Sequence, residues 1–196
     1  FNALGLETWR TSFGSSGHEF VQRASSDRRG GCYITGITNG NFAGPLSGQT
    51  DLIVLRINAS GQELWRRQIG GTGLAGNSSS VTTTPEGGCL VAVSSNTTLA
   101  GPVIGGSDLH LIRFDEHGTT VGRRVLGGSG ADGIGEVSYD RDGSLLICGD
   151  VRSLIYGPTF GGADAFVARI APDGIGETIC IPAAPNSSGA SAFLRV

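Results

Sequence analysis

Residues 127–150, GGSGADGIGEVSYDRDGSLLICGD, followed after a loop by FGGADAFVARIAPDG at 160–174, decide how the chain reads. Gly-Gly opens this unit, a short strand runs to a turn at Asp142-Gly143, and a second strand follows. Beyond the loop, Gly162-Ala163-Asp164 launches a third strand that ends at Gly174. The same grammar recurs upstream in different letters. Its launching aspartates are Asp51, Asp108 and Asp164, separated by 57 and 56 residues. A period this regular is the mark of a repeat architecture.

Working outward, units are expected over 12–69, 70–126 and 127–181, in a single array covering 1–196. Residues 1–11 read as the tail of one partial unit and 182–196 as the start of another. Within the first unit the strands fall near Glu19–Ser25, Cys32–Ile37, Asp51–Asn58 and Glu63–Ile69, and the second and third units follow suit. No segment keeps a helical apolar period, and Gly, Asp and Asn turns bound every β-rich run, the pattern of an all-β chain. Four strands per repeat predict a β-propeller of four-stranded antiparallel blades of about 57 residues, three complete and one partial, each steadied by stacking on its neighbours.

The ends sharpen that expectation. Residues 192–196, AFLRV, match the third-strand start 165–169, AFVAR, and FNALG at 1–5 fits the continuation at 170–174. The spacing predicts that the C-terminal strand of one copy meets the N-terminal strand of the same or another copy in one blade. That would hide edges open to aggregation. The chain contains no Met and reads as a processed product or a piece of something longer.

GGADAFVARIAPDG at 161–174, GGSGADGIG at 127–135 and SYDRDGSLLICGD at 138–150 together resemble the bacterial SBBP-type β-propeller repeats. The resemblance covers all three units, most strongly the third. It implies an extracellular or cell-surface interaction scaffold and carries no catalytic set.

Composition narrows the partners. Net charge is −3, all 14 cationic residues are Arg, and no basic stripe forms, which argues against nucleic acid. No apolar run is long enough for a membrane span. The four cysteines, Cys32, Cys89, Cys148 and Cys180, show no CxxC or zinc spacing. Cys32 and Cys89 hold equivalent repeat positions, too far apart for a disulfide, so free thiols are expected.

Candidate chemistry is sparse. Asp140-x-Asp142-Gly143 opens like a calcium loop, yet it lacks the twelfth-position Glu and suits a hairpin turn better. His18, His110 and His117 are scattered, and no GxSxG elbow supports a Ser/His/Asp triad. The Gly-Gly-x-Gly runs at 70–73 and 127–130 never continue to Gly-Lys-Ser/Thr, so no phosphate loop is read and no cofactor or metal is expected. Arg10, Arg66 and Arg123 mark the expected outer strands, where charge discourages edge pairing. Glycosylation sequons begin at Asn58, Asn77, Asn96 and Asn186, with Asn96 and Asn186 best placed in loops.

The expectation is therefore a non-catalytic propeller scaffold that meets a protein partner, or itself through terminal strands, by loops 38–50, 95–107 and 151–163. A carbohydrate-binding propeller would need an equivalent aromatic in every blade. Trp9 and Trp65 match, but Gly122 and Thr178 break the series. An enzyme with histidines and acids in a central channel is the third reading.

Overall fold

The computed structural model describes residues 3–73, 78–152, 161–172, 177–180 and 193–195, the last two ranges as backbone only. Among them the first sheet comprises β1 (Glu19–Ser26), β2 (Cys32–Thr38), β3 (Asp51–Ile57) and β4 (Glu63–Ile69). The second comprises β5 (Ser79–Thr83), β6 (Cys89–Ser95), β7 (Asp108–Phe114) and β8 (Thr120–Leu126). The third comprises β9 (Gly133–Tyr139), β10 (Leu145–Val151), β11 (Asp164–Ile170), β12 (Glu177–Cys180) and β13 (Phe193–Arg195). Strands pair antiparallel in chain order within each sheet. The hairpins between third and fourth strands turn at Gly61 and Gly118, whose φ values of 80° and 76° suit glycine.

Period-two alternation decides the packing, because successive side chains leave a strand on opposite faces. In β6, Cys89, Val91 and Val93 face the first sheet and join Tyr33, Leu52, Val54 and Trp65 in one core. Leu90 and Ala92, with Leu109 and Leu111, face the third sheet and join Leu145, Ile147, Phe166 and Ala168 in another. The second sheet is thus buried on both faces, and β5 and β6 carry no exposed residue. On the far side of the first sheet Phe42 and Phe13, edge to face at 6.2 Å, cover Ile53 and Leu55.

The chain is not a closed propeller. The sheets form an open stack, first on second and second on third, and no hydrophobic core among the described residues joins the third sheet to the first. Closure would bury the outer face of the third sheet, yet Leu146 and Val167 on that face are 37% and 47% exposed. The open ends also decide which equivalent positions are buried. Val81, Val91, Val137 and Ile147 lie in cores, whereas Ala24 is exposed and Ile34 half-buried because no sheet among the described residues covers that face of the first.

The expected partial blades are corrected too. Residues 7–11 are irregular rather than a fourth strand. The C-terminal strand pairs with β12 of its own chain, Thr178 opposite Arg195 and Cys180 opposite Phe193, and so extends the third sheet. Phe1, Asn2 and Val196 lie outside the described residues. Cys32, Cys89 and Cys148 are free thiols, and the side chain of Cys180 lies outside the described set.

Candidate functional site

Each sheet carries an arginine at the same point of its third strand and an acid in the turn joining its first two strands. Arg56 reaches Asp27 at 3.4 Å, Arg113 reaches Glu86 at 2.6 Å, and Arg169 bonds both Asp140, at 3.4 Å, and Asp142. Burial raises the Asp27 carboxyl, but the Arg29 and Gly31 N–H groups and Arg56 outweigh it and hold the acid below its usual range. Asp142 is likewise lowered, first by the Ser144 N–H. The Asp140-x-Asp142 carboxylates serve their own turn and Arg169. No cluster of three metal-ligating side chains occurs among the described residues.

A polar concavity of about 380 Å³ opens between the second and third sheets at the loop end of the strands. Its buried floor includes Ser94, Ser95 and Asp132, and its exposed rim includes Asn96, Asp150 and Arg152. Asp132 fixes the local chain: Oδ1 accepts from the Arg152 N–H and Oδ2 from the Gly128 N–H, each at 3.0 Å. Ser94 Oγ accepts from the Ile134 N–H at 2.6 Å and ties the second sheet to the third. Glu19 does for the first unit what Asp132 does for the third, accepting from the Ser15 N–H at 3.0 Å, again four residues upstream. An acid five residues after Gly14 and after Gly127 was the signal for this role, though its two letters, Glu and Asp, differ.

The polar floor is largely spent on backbone donors, and no imidazole or thiol among the described residues lines the cleft. The three histidines are not brought together: His18 and His117 are exposed on the first and second sheets' connections, and His110 is buried in β7. His110 Nδ1 accepts from the Ala100 N–H at 3.1 Å, and burial lowers the imidazole pKa.

Of the expected recognition loops, 95–107 contributes Ser95, Asn96, Gly106 and Ser107 to this cleft, and 151–163 contributes Arg152. Loop 38–50 lies instead on the first sheet, where Phe42 packs into the end core. Residues 153–160 lie outside the described residues, as do Asn77 and Asn186. Asn96 is exposed, whereas Asn58 Oδ1 accepts from the Ser60 and Gln62 N–H groups at 3.0 and 2.9 Å. Among the described residues no helix is long and apolar enough to cross a membrane.

Comparison with protein-family models and with curated proteins returns no match. The resemblance to SBBP-type repeats is therefore unsupported, and the scaffold, sugar-binding and central-channel readings that depended on a closed propeller fall with the open stack.

Proposed function

We propose that the chain is a self-associating module, docking a second copy on the outer face of its third sheet, the sheet that ends in the C-terminal strand β13. One observation carries the reading. Leu146, Cys148 and Val167 are the repeat equivalents of Leu90, Ala92 and Leu111, which are buried under the next sheet, yet they lie on a face that no described sheet covers. At the equivalent place the repeat covers this face with another of its own sheets, so a sheet of a second copy is the matching occupant.

Charge favours the same arrangement. The face bears Arg169 and Asp150, and a surface with both signs is complementary to itself about a twofold axis. The role requires no catalytic chemistry and no nucleic acid, in keeping with the net charge of −3. An extracellular or surface setting belongs to the same proposal. It predicts a glycan at exposed Asn96 when the chain passes through a eukaryotic secretory pathway, and an unmodified Asn96 there would remove it.

Sedimentation equilibrium tests the association. The wild-type chain is expected to show a concentration-dependent dimer, and the Leu146→Asp, Val167→Asp double variant a folded monomer. A wild-type chain monomeric at every concentration, or a dimer untouched by the double variant, overturns the proposal.

A further inference from the structure

The segment before β1 lies on the outer face of the first sheet as β4 lies on the second. Trp9 rests on the Gly61 turn, 2.8 Å from a Cβ built there, and Trp65 rests on the Gly118 turn at 2.6 Å. Four residues on, Phe13 packs with Phe42 against Ile53 and Leu55, as Ile69 packs against the core that holds Leu99. Residues 9–13 therefore hold the place of a fourth strand, but without the third strand that β4 pairs with. Residues 7–13 make no backbone hydrogen bond among the described residues. All of them except Trp9 and Phe13 are exposed.

A groove of about 600 Å³ lies beside them, bordered by Glu7, Thr8, Trp9, Arg10, Thr11 and Gly30. One junction along, the same place beside Gly87 is filled from the first sheet. Tyr33 donates its hydroxyl proton to the Gly87 carbonyl at 2.6 Å. Arg56, opposite Trp65 in the β3–β4 ladder, donates to the Glu116 carbonyl at 2.7 Å. On the outer side of the first sheet, exposed Ala59 holds the turn position that Glu116 holds in the second.

We propose that residues 7–12 are a docking strand that accepts an extended segment of a partner protein by β-strand addition, the segment reading apolar-x-apolar-x-Arg. Backbone hydrogen bonds give such pairing its affinity, and alternate side chains give it selectivity. The pattern is that of Leu52, Val54 and Arg56, which reach the next sheet from β3, and it sets an arginine opposite Trp9 and beside the Ala59 carbonyl. A sheet of a second copy does not fit here. Each sheet carries its own fourth strand, β4, β8 or β12, which would fall on residues 9–13. A lone extended segment leaves those residues in place and covers Ile34, half-buried on the same face. The site is separate from the outer face of the third sheet and does not depend on docking there.

The probe is the capped peptide DLHLIRFDEH, the sequence of residues 108–117, which carries the pattern. Saturable one-to-one binding is expected, with alternate amides between Glu7 and Ser12 exchanging with solvent at least tenfold more slowly in the complex. A peptide of scrambled order, and one with alanine in place of its arginine, are expected to bind at least tenfold more weakly. Two N-methylated peptides test the ladder with the protein intact. Methyl groups on one alternate set of nitrogens point at residues 7–12 and block pairing, whereas those on the other set point away. One peptide is expected to lose binding at least tenfold and the other to keep it. Equal affinity of the two, an equally tight scrambled or alanine peptide, or no saturable binding overturns the proposal. So does protection of residues 7–12 that grows with protein concentration alone, which would assign the edge to a second copy.

Discussion

The carboxylate of Asp51 occupies the space that a Cβ on Gly70 would take, and Asp108 stands in the same relation to Gly127. The launching aspartate and the glycine that opens the following unit are thus one device. Asp51 Oδ2 accepts from the Ser47 N–H at 3.0 Å and from Gln68 Nε2 at 2.8 Å, tying the loop before β3 to the end of β4. Asp108 Oδ2 accepts from the Ile104 N–H at 2.6 Å in the second unit.

A methyl group at either glycine must push a fully buried carboxylate off its donors. Gly70→Ala and Gly127→Ala are expected to cost about 1–3 kcal/mol each, as overpacking does. Gly44, with nothing near a built Cβ, is the control and is expected to change stability little when made Ala. Urea midpoints of the three variants decide the matter, and equal midpoints would refute the coupling.

Burial lowers the pKa of His110, whose Nδ1 is an acceptor for the Ala100 N–H. In the unfolded chain the imidazole titrates near 6.5. The folded state therefore binds fewer protons as pH falls through that value, so stability is complete above about pH 6.5 and declines below it. Melting temperatures from pH 7.5 to 5 are expected to fall in the wild type. The fall should be shallower in His110→Phe, which carries the residue found at the equivalent Phe166.

Much of this fold was legible because the repeat is written in residues with stringent geometry. Gly70 and Gly127 recur beside Asp51 and Asp108 because a Cβ at either glycine would fall on the carboxylate. Closure was not legible, since Val167 and Leu111 are alike as letters and only the presence of a covering sheet makes one exposed and the other buried. The arginine–acid pairs were missed for a different reason. Asp27 aligns with Thr84, while Glu86 aligns with Arg29, so the acid moves two residues along the turn and the reach of the side chains restores the contact. The docking strand appeared in the sequence only as the match of Trp9 to Trp65. That it lacks a third strand beside it shows only once the segment is laid on the first sheet.

Cysteine chemistry should separate the layers. Cys89 lies between the first and second sheets, where burial pushes its thiol far up, while Cys148 sits half-buried on the outer face of the third. The thiolate is the reactive form. Iodoacetamide on the native protein is expected to modify Cys148 well before Cys89, which should react only after unfolding. Peptide mass mapping over time reads the order, and early labelling of Cys89 would contradict the packing of the second sheet.

The same arginine–acid pair should matter unequally along the stack. Side chains of Arg56 and Asp27 are 8% and 3% exposed, whereas those of Arg169 and Asp142 are 46% and 54% exposed. Arg56 also donates to the Glu116 carbonyl at 2.7 Å and lies over the Tyr33 ring at 5.3 Å, so it fastens the first sheet to the second. Removing it strands a buried carboxylate, and Arg56→Ala is expected to cost about 3–5 kcal/mol. The exposed pair is screened by water, so Arg169→Ala is expected to cost at most about 1 kcal/mol. Replacing both Arg56 and Asp27 by apolar residues should recover part of the loss, because no charge is then left alone in the core. Denaturant midpoints for Arg56→Ala, Arg169→Ala and Arg56→Met with Asp27→Leu test the ranking. Equal costs at the two sites would mean that the first junction does not exclude water from Asp27.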